Sequence, residues 1–221
     1  MGSVVHGICF HGIGTPRRPL EPGEERYWIT ADAFHTILDA IAETPGIRIS
    51  FDDGNASDLE IGLQALLDRK LVGSFFVVAG RLGSRGSLDA DDLRELVRHG
   101  MTIGTHGMDH RPWRDLAPAD KERELVEARH RIAEASGHPI EEAALPLGAY
   151  DRRLLSDLKR LGYRTVHTSD RRIGRDGEWL QPRFSVLAED TVESVQRSAL
   201  VVPSPTRRIW LAAKGRVKRM R

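Results

Sequence analysis

"GIRISFDDGNASDLEIGLQALLDRKLVGSFFVVAG", residues 46 to 80, decides how the chain folds. Two apolar runs of strand length, IRISF (47 to 51) and GSFFVVA (73 to 79), flank ASDLEIGLQALLDRK (56 to 70), where apolar residues recur at helical spacing. Strand, helix, strand in that order is the parallel βαβ unit, whose crossover is right-handed. The pattern repeats along the chain. VVHGICF (4 to 10), MTIGT (101 to 105), AALPL (143 to 147), RTVHT (164 to 168) and FSVLA (184 to 188) bring the predicted strands to seven. Helical stretches lie between them; in DADDLRELVRHG, Asp89 is placed to cap the start and Gly100 to end the last turn. Seven parallel strands with covering helices close into a barrel or lie in an open doubly wound sheet. Both architectures collect their reactive side chains at the C-terminal ends of the strands.

Composition bounds the rest. The 221 residues, 40% hydrophobic and 29% charged, predict one soluble α/β domain over residues 1 to 221, and no run approaches the ~18 apolar residues of a membrane span. Cys9 is the only cysteine, which excludes an intrachain disulfide and a cysteine-rich zinc cage. The start of the chain has no basic leader before its apolar stretch, so a cytoplasmic location is expected. The net charge of +1 conceals an asymmetry: RRIWLAAKGRVKRMR (207 to 221) holds seven Lys and Arg and no acid, leaving 26 basic against 32 acidic residues elsewhere. A basic amphipathic tail is expected over about 205 to 221, docked on the domain or peripherally on an anionic membrane surface. A nucleic-acid partner is not expected. TPRRPLEPGEERYWIT (15 to 30) is too polar and too broken for an element and reads as a long surface loop, a kind that is often functional.

The reactive side chains fall at the predicted strand ends. Asp52 and Asp53 follow IRISF, His106 follows MTIGT, His11 follows VVHGICF, and Pro146 with Gly148 close AALPLG. Within THGMDH (105 to 110), His106 and His110 are four apart, a spacing that joins two imidazoles on one face of a helical turn. A carboxylate added to this pair makes a three-ligand zinc site with one position open, the arrangement of catalytic rather than structural zinc. Each feature alone has a plain alternative: Asp-Asp-Gly suits a turn, and two histidines suit a solvated helix start. Their combination is what carries weight.

SFDDG (50 to 54), THGMDH (105 to 110) and LPLGAYD (145 to 151), in this order, resemble the motifs of the polysaccharide deacetylases of carbohydrate esterase family 4. The resemblance spans roughly residues 47 to 183 and implies a distorted (β/α)7 barrel. It implies Asp52 as general base, and Asp53, His106 and His110 as ligands of a divalent metal, zinc first, with cobalt, nickel or iron as alternatives. It also implies the Leu147 N–H as oxyanion donor. The family's usual general-acid histidine near the C-terminus has no counterpart after His167. ICFHGIG instead resembles the circularly permuted branch that deacetylates poly-N-acetylglucosamine, which makes His11 the acid. The third motif has Ala144 where the family carries an arginine that orients the base, and Leu147 where it carries an aromatic residue. Arg183 in QPRFS substitutes for that arginine only if its strand begins near Trp179 rather than at Phe184.

The implied function is removal of N-acetyl groups from a glycan, oligosaccharide or lipid-linked sugar precursor. Two other readings stand beside it: a noncatalytic metal-containing glycan-binding module, which Ala144 and Leu147 would favour, and a metal-dependent amidase of small nitrogen compounds.

Overall fold

The computed structural model describes residues 2–201; the basic tail predicted at about 205 to 221 lies outside them. Seven strands, β1 (Val4–Phe10), β2 (Ile47–Asp53), β3 (Gly73–Val77), β4 (Thr102–Thr105), β5 (Glu142–Ala144), β6 (Thr165–Thr168) and β7 (Leu180–Ser185), pair in parallel in that order. Pairing of β1 with β7, from Gly7 opposite Arg183 to Cys9 opposite Ser185, closes the ring. The result is a closed (β/α)7 barrel, the architecture the resemblance implies. No helix among the described residues is long and apolar enough to cross a membrane.

Strand alternation explains how an apolar wall encloses a polar interior. Along β2, Phe51 faces the helices and stacks on Phe75 at 4.6 Å, whereas Ser50 and Asp52 face inward and meet Arg183. The outer core joins Phe10, Phe51 and Phe75 to Phe34, Ile37 and Leu38 of helix α1 (Ala31–Ile41). Further helices cover the ring: α2 (Gln64–Asp68) after a π-turn at Asp58–Leu63, α3 (Ala90–Arg98), α4 (Pro118–Glu122), α5 (Ala128–Ser136), α6 (Arg152–Arg160) and α7 (Val192–Val195). Their starts are the ones the sequence marks: Asp89 and Asp92 form a reciprocal capping box on α3, and Asp151 accepts the Leu154 N–H on α6.

Two predicted strands need correction. The strand predicted at FSVLA is shifted: β7 runs Leu180–Ser185, so only Phe184 and Ser185 of that run belong to it. An apolar run misleads there because β7 carries Arg183 into the barrel, so its polar residues belong to the ladder while Val186 and Leu187 pack beyond it. In AALPL only Ala143 and Ala144 belong to a strand, which starts at Glu142; Pro146 opens a tight turn in which Leu147 takes a left-handed φ of +53°.

Gly104 of β4 lies against Phe76, whose ring plugs the barrel between His167 at 4.7 Å and the Arg183 guanidinium at 5.0 Å. A Cβ at Gly104 would fall 2.4 Å from that ring. Gly104→Ala is expected to destabilise the fold by about 1–3 kcal/mol through overpacking, seen as a lower urea midpoint at unchanged slope; an unchanged midpoint would show that the plug yields.

Candidate active site

The C-terminal rim of the barrel carries a cavity of about 190 Å³ lined by His11, Asp52, Asp53, His106, His110 and Leu147, among others. A larger opening of about 460 Å³ lies at the other end of the strands, beneath Arg183, and is lined by Gly7, Ser74 and Gln181 rather than by the aspartate pair. The reactive groups converge on the smaller one.

Asp52 and Asp53 are neighbours with opposite surroundings. Arg183 grips Asp52 in a bidentate pair, Nη1 to Oδ1 at 2.7 Å and Nη2 to Oδ2 at 2.8 Å, and Nη1 also donates to Ser50 Oγ at 2.9 Å. Burial alone would raise the Asp52 carboxyl, but Arg183 and then His106 outweigh it and hold the group well below the usual carboxylate range. Asp53 is 1% exposed and sits at a φ of +78°, strained for a residue with a side chain. Neither of its carboxylate oxygens meets a hydrogen-bond donor among the described residues. The nearest polar atoms to Oδ1 are His110 Nε2 at 3.2 Å and His106 Nε2 at 3.6 Å.

Both imidazoles are oriented from behind. His106 Nδ1 lies 2.9 Å from the Ala144 carbonyl, so it carries the hydrogen and Nε2 is left with its lone pair toward Asp53. Burial pushes His106 down to about 4, with Asp52 and Asp53 opposing only in part, so the ring is neutral at pH 7. His110 Nδ1 lies 2.6 Å from Glu21 Oε2, which orients that ring in the same sense. The ligand atoms of Asp53, His106 and His110 all lie within 4.8 Å of one another. A buried carboxylate without donors, facing two lone pairs, repels itself unless a cation sits among them. The donor set therefore fits a divalent metal with an N₂O preference such as zinc. Cys9, His11 and Asp52 also fall within 4.8 Å. That group does not fit a cation, because Arg183 occupies both Asp52 oxygens and burial keeps the Cys9 thiol protonated.

His106 and His110 do not share a helical turn, contrary to the reading of their spacing. Residues 106–110 are irregular, with Gly107 at φ +84° and His110 at φ +51°. Their shape comes from Glu124, fully buried in a π-turn (Arg123–Glu127) between α4 and α5. Its carboxylate accepts the Met108 N–H at 2.7 Å, the Asp109 N–H at 3.2 Å and Trp113 Nε1 at 3.3 Å. A single buried carboxylate folds the segment so that both imidazoles point at Asp53.

The polysaccharide deacetylase family model matches residues 41–166, more than half of the chain. The chain belongs to the polysaccharide deacetylase family. The match includes Asp52, Asp53, His106, His110 and Leu147, and excludes His11 and Arg183. Chitooligosaccharide deacetylase of Sinorhizobium fredii is 24% identical over 174 residues, 77% of each chain. YxkH of Bacillus subtilis is 21% identical over 124 residues, 56% of this chain, which spans only 44% of that longer protein. Among solved structures, the deacetylase PplD of Streptococcus pyogenes superposes with a TM-score of 0.76 at 17% identity, covering 90% of this chain and 99% of that one. IcaB of Ammonifex degensii gives 0.71 at 22% identity, covering 90% and 98%. At these identities the structural likenesses speak for the fold.

Within this deacetylase-family barrel, the residues singled out in the sequence occupy one rim. His11, at the end of β1, faces the same cavity, its ring tilted against Tyr27 with centroids 4.6 Å apart. Leu147 stands at the mouth, 65% exposed. Arg183 reaches Asp52 because β7 begins at Leu180, which satisfies the condition set by the sequence. Trp113 is fully buried in the core. Two contributors have no local signature in the sequence: Glu21, within the polar loop, and Glu124, whose only hint is an acid beside the buried Leu125.

Arg183→Met leaves the Asp52 carboxylate buried and unpaired, and a loss of about 3–5 kcal/mol in unfolding free energy is expected by urea denaturation; a loss under 1 kcal/mol would mean that the pair is not buried in solution. In metal-stripped protein, the unfolded chain protonates His106 below about 6.5, whereas the folded chain resists until about 4. Stability is therefore expected to fall as the pH drops through that window. His106→Gln should flatten the slope by up to about 1.4 kcal/mol per pH unit, and an unchanged slope would mean that the folded ring protonates freely.

Proposed function

We propose that the chain is a divalent-metal-dependent hydrolase that removes N-acetyl groups from an N-acetylated saccharide. The observation that carries this reading is the pairing of a donorless buried Asp53, facing two histidine lone pairs, with an Asp52 kept ionised beside it. Family membership and the name of the Sinorhizobium relative support a saccharide as substrate. The cavity has room for an acetamido group, with the sugar ring outside it at the rim.

A cation held by Asp53, His106 and His110 supplies polarisation of the amide carbonyl and acidification of a water. Asp52 takes the proton as the water oxygen adds to the carbonyl carbon. Arg183 keeps Asp52 ionised and so ready to take a proton, while making it a weak base. The Leu147 N–H, at the mouth of the cavity, donates to the oxygen that gains negative charge. His11 then gives a proton to the nitrogen as the C–N bond breaks, and acetate and a free amine leave. The noncatalytic reading draws on Ala144 and Leu147; against the first of these, Arg183 contacts Asp52 from β7 as the missing arginine would.

With zinc or cobalt added, acetate release from N-acetylated glucosamine oligomers is expected for the parent and should fall by 10²-fold or more in Asp52→Asn. A parent that binds the oligomers without releasing acetate would restore the glycan-binding module. Ammonia release from a small amide, without acetate, would point to the amidase.

A further inference from the structure

The loop over residues 15–30 takes no part in the chemistry above, yet it touches two of the three histidines that do. Tyr27 lies against the His11 ring, and Glu21 Oε2 meets His110 Nδ1 at 2.6 Å across 89 positions of sequence. The other Glu21 oxygen pairs with Arg81, which lies in the turn Ala79–Arg81 just after β3. The loop is itself anchored. The Glu21 N–H donates to Glu24 Oε2 at 2.8 Å, Glu24 is buried in an ion pair with Arg18, and Arg18 Nε donates to Asn55 Oδ1 at 3.0 Å, two residues after Asp53. Glu21 is thus braced from the loop, from Arg81 and from the strand end that carries the aspartates.

The two imidazoles beside Asp53 have different supports. A backbone carbonyl, that of Ala144, orients His106, and no side-chain substitution removes it. For His110 the support comes from side chains: Glu21 Oε2 of the loop lies 2.6 Å from Nδ1 and Arg81 Nη2 is farther off at 3.5 Å, while the His110 backbone, at a φ of +51°, does not settle the ring by helix packing. An ordinary surface ion pair between Glu21 and Arg81 would use one carboxylate oxygen and leave the other in water. Here the second oxygen faces the histidine.

We propose that Glu21 is the positioning residue for His110: its carboxylate accepts the Nδ1 hydrogen, fixes the tautomer that leaves the lone pair on Nε2, and aims that atom at Asp53. The loop over residues 15–30 is then a built part of the cation site rather than a surface excursion. This inference rests on the reading of Asp53, His106 and His110 as metal ligands, and its test separates the two.

The full chain, stripped with a chelator, is titrated with zinc in competition with a chromophoric indicator, and the melting midpoint of each stripped protein is recorded. Glu21→Ala is expected to weaken zinc binding by about 10–100-fold, the range for loss of a carboxylate behind a ligating histidine. Glu21→Gln keeps an oxygen for the Nδ1 hydrogen and should recover part of that loss. The stripped proteins should melt together, since the Glu21 side chain is 44% exposed. A Glu21→Ala variant that binds zinc within twofold of the parent overturns the role of Glu21. So does a Glu21→Gln variant that loses as much as Glu21→Ala while both stripped variants melt lower, because that is a loop-folding effect. A parent that binds no zinc overturns the cation site itself.

Discussion

A carboxylate at 1% exposure with no hydrogen-bond donor is a large debt of solvation, and Asp53 carries it at the centre of the rim. Most of the surrounding architecture makes sense as the means of holding that group in place and supplying it with two lone pairs instead of two protons. The left-handed backbone at Asp53 and at His110, each costing of order 1–3 kcal/mol, persists because packing and buried hydrogen bonds over-determine the site. Glu124 beneath the 106–110 segment is the clearest of these: three donors end on one buried carboxylate, while the Gly107 and Met108 carbonyls accept from the Ala79 and Gly80 N–H groups.

Asp52, one residue earlier, shows that adjacency does not dictate role. Its partner Arg183 comes from the strand that closes the barrel against β1, so closure and the charge state of Asp52 are one structural event. The same closure brings His11 to the rim from the first strand. Neither His11 nor Arg183 lies within the stretch matched by the family model, yet the parallel pairings of β7 with β1 and of β1 with β2 bring both to the aspartates. Inside the barrel the polar column of Ser50, Asp52 and Arg183 is tolerable because each group meets another, while Phe76 and Gly104 fill the remaining width.

Legibility in the sequence follows the range of the interactions. Helix starts were readable because a cap bonds within three residues, as at Asp89 and Asp151. Strands such as IRISF and GSFFVVA were readable as short apolar runs flanking a helical pattern. β7 was misplaced because its inward residues are polar for reasons that lie across the barrel, in Asp52 and Ser50. The aspartate and histidine motifs stood out because they sit at strand ends, but the helical turn inferred from the His106 and His110 spacing is a loop shaped by Glu124, 14 to 18 positions away. Glu21 was legible only as part of a long polar loop, since nothing near it in sequence announces a contact with His110.

The most direct measurement is an anomalous difference map from crystals grown with saturating zinc, collected on both sides of the zinc absorption edge. A single strong peak is expected between Asp53, His106 and His110, on the side that faces Asp52 and His11. An empty site there, or density only beside Cys9, would contradict the cation-based reading and leave a deacetylase-family barrel without its chemistry.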